Sequence, residues 1–190
     1  MINYRNLYLG ISRVAWGYVF IYFDINIGSM SILPSFVGYI LFMNALNILE
    51  EEERELSLLK IPCALLIIWN LAKWLFGLIL LNIDGILLFL DIIVCLLTLY
   101  FHFQLLTNIA SLAERYQGHE CCYDEKLLKY RSVQTVIFTA VMGITYVSSL
   151  ISDIWAYISL LMAIIYIIVG IFLIKALFDL RKSFAEEDDE

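Results

Sequence analysis

The sequence is poor in charged residues and in histidine, and each shortage excludes a class of protein. Only 16% of the 190 residues are charged, whereas 62% are hydrophobic. Soluble domains carry about 25% charged and about 45–50% apolar residues, so the chain is expected to be a membrane protein. Its two histidines cannot supply the clustered ligands of a di-metal site.

The sequence also lacks the short motifs of common enzymes. It contains no phosphate-binding glycine-rich loop, no zinc-protease helix motif and no serine nucleophile elbow. An intramembrane enzyme would have to rely on Asp91, His102 and Arg13 without a recognisable arrangement. We therefore expect a protein that is not an enzyme, with no cofactor, no metal and no ATP-driven step within the chain.

One segment, YQGHECCYDEK, gathers His119, Cys121 and Cys122. Structural zinc takes four ligands, and its cysteines are commonly two to four residues apart, so adjacent cysteines fit one tetrahedral ion poorly. A plain polar loop with reduced thiols is the favoured interpretation, and metal binding or redox sensing is the alternative. The other cysteines, Cys63 and Cys95, are predicted to lie in the core.

Long apolar runs recur along the whole chain. Because about 20 apolar residues cross the hydrocarbon core as a helix, they predict an all-α, polytopic integral membrane protein with six transmembrane helices arranged as three hairpins. The strands of a membrane β-barrel alternate polar and apolar residues in segments of about ten, and these continuous apolar runs do not show that alternation. Residues 1–182 form the membrane domain and residues 183–190 an acidic cytoplasmic tail. The predicted spans are Tyr4–Phe23, Ile32–Leu49, Leu58–Leu81, Ile86–Leu106, Val133–Leu150 and Ile154–Phe178.

Lysine and arginine are absent from one set of connections, residues 24–31, 82–84 and 148–153. The positive-inside rule therefore places the N- and C-termini in the cytoplasm, and a multi-pass protein of the plasma membrane is expected. A larger cytoplasmic loop is predicted from Ala113 to Arg131. The basic residues of the opposite set are Arg5, Arg54, Lys60, Arg115, Lys126, Lys129, Arg131, Arg181 and Lys182.

Two acidic runs, residues 50–55 and 186–190, contribute much of the net charge of -7. Solvated charge is the favoured interpretation, and a docking site for a membrane or cytoplasmic protein partner is the alternative. No nucleic-acid partner is expected, because neither run offers a basic surface. The lipid bilayer and a small solute are the other expected partners.

The apolar stretch KWLFGLILLNIDGILLFLD begins with Lys73 and ends with Asp91. In a hairpin centred on Asn82 the two charges lie at the same depth, about 13 Å below the turn. A lone charge in the hydrocarbon costs at least ~2.5–3.5 kcal/mol, and such charges usually pair. We therefore predict an ion pair, which serves either as a clip between two helices or as part of a polar site.

Other polar residues recur at helical spacing. Arg13 is followed by Trp16, Gly17 and Phe20, and Asn44 and Asn47 add amides to the second span. If the polar faces converge, two cations against one aspartate favour an anion or a lipid headgroup. The sequence therefore predicts binding or passage of a small anionic or zwitterionic solute; the alternative is a non-catalytic accessory or regulatory subunit whose buried charges are structural. The predicted site residues are Arg13, Asn70, Lys73, Asp91 and His102.

The fifth and sixth spans present small residues at helical spacing. Gly143 follows Thr135 and Thr139 in the fifth span, and Gly170 follows Ala163 in the sixth. Small residues allow backbones to approach closely in membrane proteins. Helix packing is the favoured interpretation of both stripes, and a lining role is the alternative.

Overall fold

The computed structural model of the chain describes residues 4–23, 26–27, 30–31, 34–79, 88–117, 122–147 and 154–188. The fold is all-helical, as predicted, apart from a two-residue antiparallel pairing of β1 (Asn26–Ile27) with β2 (Met30–Ser31). The helices are α1 (Tyr4–Tyr22), α2 (Ser35–Leu49), a 3₁₀ helix (Arg54–Leu59), α3 (Lys60–Ile79), α4 (Leu88–Gln117), α5 (Tyr123–Val147) and α6 (Ile154–Asp188).

The six α-helices form a ring in chain order. Each helix packs against the next one, and α6 returns to pack against α1. The α1–α2 and α1–α6 interfaces are the most extensive, and the α3–α4 interface is the sparsest of the ring. This order brings α1 against α6 although they lie at opposite ends of the sequence.

Three segments are long and apolar enough to cross a membrane: Arg54–Phe76, Leu90–Tyr116 and Leu160–Ala185. Apolar side chains also cover much of the outer surface, as expected where lipid replaces water. On the first of these segments, four aliphatic side chains at helical spacing are 51% to 73% exposed, namely Leu58, Ile61, Leu65 and Ile68. The chain is therefore described as a membrane protein.

The helix α2 is shorter than its predicted span. It contains 15 residues, which gives a length of about 22 Å against the ~30 Å of the hydrocarbon core. Two glycines bring it close to α1, because a Cβ atom added at Gly38 would lie 2.8 Å from the carbonyl oxygen of Gly17. A side chain at position 38 would therefore force the two backbones apart.

The loop predicted from Ala113 to Arg131 is wrong for most of its length. The structure continues α4 to Gln117 and begins α5 at Tyr123. The predicted loop began and ended where the apolar runs of the sequence end. The length of an apolar run reflects the thickness of the hydrocarbon, whereas a helix can extend beyond it. Polar residues such as Lys, Arg, Glu and Gln are good helix formers, so the helices continue beyond the apolar part.

Candidate anion site between helices α1, α4, α5 and α6

A cavity lies inside the ring, between α1, α4, α5 and α6. Its volume is about 20 Å³, which is room for about one water molecule. Aromatic and polar side chains share the lining. The described lining residues are Tyr18, Ile21, Tyr22, Thr98, Leu99, His102, Phe103, Leu106, Arg131, Gln134, Thr135, Phe138 and Tyr166.

Arg131 is the only lysine, arginine, aspartate or glutamate among those described lining residues. Its Nη1 donates a hydrogen bond to Thr107 Oγ1 at 2.8 Å, and its guanidinium carbon lies 4.2 Å from the centre of the Phe103 ring. Its Nε is buried and has no hydrogen-bond partner. A cation beside a cavity without a carboxylate in the described lining is suited to an anion.

His102 connects α4 to α1 and α2 through hydrogen bonds. Its Nδ1 lies 3.1 Å from Tyr18 Oη, and its Nε2 lies 3.3 Å from Tyr39 Oη. A neutral imidazole has one donor and one acceptor nitrogen, and a phenol can act in either role, so both tautomers are accommodated. The rings of Phe42 and Phe101 pack around the imidazole.

Tyr22 connects α1 to α5 and α6 on another side of the cavity. Gln134 Nε2 donates a hydrogen bond to Tyr22 Oη, and the ring of Tyr166 lies 5.2 Å from the ring of Tyr22. Gly170 makes room for the Tyr22 ring, because a Cβ atom at position 170 would lie 2.5 Å from Tyr22 Cε1. The packing role predicted for Gly170 is confirmed.

The ion pair predicted from the sequence is present. Lys73 Nζ lies 2.6 Å from Asp91 Oδ1, and Lys73 Nζ is also 5.5 Å from the centre of the Trp69 ring. The two side chains are 54% and 34% exposed, and Asp91 lies in the first turn of α4. Free N–H groups and the helix dipole stabilise a carboxylate there.

The other predicted site residues lie apart from the cavity. Asn70 Nδ2 donates to the carbonyl oxygen of Leu66, one turn earlier in its own helix. Arg13 shares a face of α1 with Leu9 and Trp16, whose side chains are exposed. Arg13 forms no hydrogen bond or ion pair with another described residue. Of the five predicted residues, His102 lines the cavity within the described lining, and ligand binding by the others stays a prediction.

Arg131 was not among the predicted site residues, because its charge was assigned to a cytoplasmic loop. Helix α5 begins two turns earlier, at Tyr123. A signal was present in the spacing, since Arg131, Gln134, Thr135 and Phe138 recur every three or four residues and all line the cavity. That period places them on one face of a helix.

Several polar or small residues that were expected to line or pack helices lie on the outside. Asn44, Asn47 and Thr139 are exposed. Gly143 is also exposed, and within the described part of the chain nothing lies within 4 Å of a Cβ atom built there. The packing role predicted for Gly143 is therefore wrong, whereas the predicted burial of Cys63 is confirmed.

The first acidic run is engaged within the protein itself. Glu50 Oε2 lies 2.5 Å from Lys60 Nζ, and Glu53 Oε2 accepts a hydrogen bond of 2.9 Å from Arg115. Glu52 accepts a hydrogen bond of 2.9 Å from the Tyr116 hydroxyl. These contacts join the acidic run to the ends of α3 and α4 and leave fewer of its carboxylates for a partner.

Within the part of the chain that the structure describes, no group of three histidine, cysteine, aspartate or glutamate residues is placed to hold a metal ion. His119 and Cys121 lie outside the described residues. Comparison of the chain with protein-family models, with curated proteins and with solved structures finds no match.

Proposed function

We propose that this protein binds a small solute carrying a carboxylate or a similar anionic group in the cavity between α1, α4, α5 and α6. One observation carries the proposal: Arg131 lines the cavity, and its buried Nε has no hydrogen-bond partner. A planar guanidinium matches a carboxylate in geometry. Gln134, His102 and Tyr166 supply further polar groups for the rest of the solute.

The surroundings of Arg131 strengthen its attraction for an anion. Phe103, Phe138 and Leu106 line the same cavity, so the guanidinium stands in a poorly solvated setting where electrostatic interactions are stronger than in water. The Thr107 hydroxyl holds one edge of the guanidinium. The binding group is therefore already oriented before a solute arrives.

We further propose that the chain crosses the plasma membrane six times, with both termini in the cytoplasm. The hairpins α1–α2, α3–α4 and α5–α6 each join neighbours in the ring, and lysine and arginine are absent from the three connections on the opposite side. The short α2 requires local thinning of the bilayer. In the present conformation the cavity holds about one water, so both binding and passage of a carboxylate solute require the helices that line the cavity to separate.

The test compares a carboxylate with its uncharged amide. Thermal unfolding of the detergent-solubilised protein is recorded with benzoate and, separately, with benzamide. A ligand at ten times its Kd adds about 1.4 kcal/mol to the free energy of unfolding, or about 3–6 °C in Tm for a chain of this size. We expect that shift with benzoate and less than a third of it with benzamide.

The matched variants are Arg131→Gln and Lys129→Gln. They remove the same charge two residues apart, but Lys129 is exposed on the outside of α5. Arg131→Gln is expected to abolish the difference between benzoate and benzamide, and Lys129→Gln to retain it. Equal shifts with the two compounds, or a preserved benzoate effect in Arg131→Gln, would contradict the proposal.

A further inference from the structure

A second arginine without a carboxylate partner lies where α6 meets α1. The Arg181 guanidinium carbon is 5.2 Å from the centre of the Tyr8 ring and 5.0 Å from that of Phe178. Its Nη1 donates a hydrogen bond of 3.3 Å to Ser12 Oγ, and its Nε is buried without a partner. The guanidinium is thus held by rings and one hydroxyl.

Acidic side chains that the structure describes do not neutralise this charge. No described carboxylate lies within ion-pair distance of Arg181. Asp179 is the nearest acidic residue in the sequence, but two residues along a helix correspond to a rotation of about 200°. It therefore projects from the opposite side of α6. The positive charge of Arg181 remains available at the α1–α6 seam, the contact region formed by Tyr8, Ser12, Phe178 and Arg181.

The seam lies at the level of a lipid headgroup. The stretch of α6 from Ile154 to Ile174 carries no charged side chain, and its length is about the 20 residues that cross the hydrocarbon. Arg181 follows two turns later, about 10 Å further along the helix axis. The interfacial region extends about 5–7 Å beyond the hydrocarbon, so the backbone of Arg181 lies a few Å outside it. Because side chains on a helix tilt towards its N-terminus, the Arg181 side chain points back towards the headgroups.

The same seam continues outwards on α1. Arg5 is exposed and precedes Ser12 by seven residues, which places both on one face of the helix. Trp16 lies one turn beyond Ser12, is 50% exposed and contacts the Phe178 ring edge-on, with 5.7 Å between ring centres. Tryptophan at the membrane–water boundary is typical of a side chain that contacts lipid.

From this arrangement we infer a binding site for the phosphate of an anionic phospholipid, in the leaflet at the end of the bundle where α1 begins and α6 ends. Arg181 binds the phosphate, Arg5 adds a second positive charge, and Trp16 contacts the glycerol and upper acyl region. A lipid is favoured over a soluble anion because the seam opens onto the outer surface, beside a half-exposed tryptophan. The site is separate from the cavity at Arg131.

Native mass spectrometry of the purified chain tests this inference. The protein is exchanged into mixed micelles that contain either phosphatidylglycerol or phosphatidylcholine, and retained lipid is counted per protein. One cation near a membrane surface contributes about a fivefold preference for anionic lipid. We expect at least that preference in the natural chain and its loss in Arg181→Gln, while Lys129→Gln keeps it.

Two additional arms keep the result interpretable. Trp16→Leu changes a half-exposed side chain, so the fold is retained even if Arg181→Gln fails to fold, and it should lower phosphatidylglycerol retention at least twofold. Inorganic phosphate at about 10 mM should leave the retained lipid in place. The inference is overturned if the Arg181→Gln or Trp16→Leu protein retains as much phosphatidylglycerol as the natural chain, or if inorganic phosphate displaces the lipid.

Discussion

Arg131 and Arg181 are held in the same way and face different surroundings. Arg131 reaches from α5 to an aromatic residue and a hydroxyl residue one turn apart on α4. The ring of Phe103 lies 4.2 Å from its guanidinium carbon, and Thr107 accepts its hydrogen bond at 2.8 Å. The aromatic residue precedes the hydroxyl residue by four positions, which aligns both on one helix face.

Arg181 repeats this arrangement between α6 and α1, with Tyr8 as the aromatic residue and Ser12 as the hydroxyl residue. The spacing is again four positions, but the contacts are longer, at 5.2 Å to the ring and 3.3 Å to the hydroxyl. In both places the buried Nε has no partner. A ring and a hydroxyl therefore suffice to orient a guanidinium without neutralising it.

What the two arginines face decides what they can bind. Arg131 borders a small cavity together with Gln134 and His102, so the ligand that we propose for it is a small solute. Arg181 lies at the seam beside the half-exposed Trp16, where a lipid headgroup can approach from the bilayer. The comparison teaches that one local arrangement is found in two settings, and on our two proposals the enclosure of each arginine decides which class of anion it would bind.

The largest effect is expected from Gly170→Ala, which disturbs the cavity and leaves the seam intact. The new methyl group would lie 2.5 Å from a carbon of the Tyr22 ring, and overpacking of this kind costs about 1–3 kcal/mol. Arg181 lies about 16 Å further along α6. We expect a Tm below that of a glycine-to-alanine change without such a contact, and a weaker benzoate shift, with phosphatidylglycerol retention unchanged.

Gly143→Ala is the matched control, because no atom of the described residues lies within 4 Å of a Cβ atom at that position. Both changes gain the same helix propensity of about 1 kcal/mol, so the difference between them isolates the contact with Tyr22. Unfolding in detergent should place Gly170→Ala about 2–12 °C below Gly143→Ala. Equal Tm values would mean that the Tyr22 ring moves away freely.

The class of the protein and one of its contacts could be read from the sequence, since both depend on simple counts. Apolar runs and scarce charge indicated a helical membrane protein, and three helices meet the requirements for crossing. Equal distance from Asn82 predicted the contact between Lys73 and Asp91, and the structure confirms it. A hairpin register is local information, and it can be counted along the chain.

The candidate cavity could not be read in the same way, because it depends on which helices are neighbours. Arg13 was predicted as a site residue and Arg131 as a loop charge, but Arg131 lines the cavity and Arg13 lies on a face with exposed Leu9 and Trp16. The closure of α6 onto α1 joins distant parts of the sequence. Helical periodicity identifies a face but not its neighbour.

The next largest effect separates the two hydroxyl contacts. Thr107→Val removes the 2.8 Å acceptor of Arg131, whereas Ser12→Ala removes the 3.3 Å acceptor of Arg181. Hydrogen bonds to charged groups contribute about 1.5–3 kcal/mol, and the longer contact contributes less. We expect Thr107→Val to lower Tm by about 3–12 °C and Ser12→Ala by less than about 2 °C.

The ligand readouts should separate in the same direction. Thr107→Val is expected to reduce the benzoate shift and leave lipid retention unchanged, while Ser12→Ala should reduce lipid retention alone. Thr107 also donates a 2.7 Å hydrogen bond to the carbonyl oxygen of Phe103, and valine keeps its shape without this group. If either variant changed both readouts, the two arginine sites would not be independent.

The smallest effect concerns Lys73, a cation that has the carboxylate that the two arginines lack. Because the Lys73 and Asp91 side chains are 54% and 34% exposed, their coupling should be about 0.2–1 kcal/mol, as for other exposed pairs. Asp91→Asn should therefore lower Tm slightly more than the double change with Lys73→Leu, since only the single change leaves the cation unpaired. Additive losses in the four-way comparison would reject the pairing. A coupling of about 3 kcal/mol or more would place the pair in the hydrocarbon, because breaking a buried pair costs that much. The turns of α3 and α4 that carry Lys73 and Asp91 would then lie inside the bilayer.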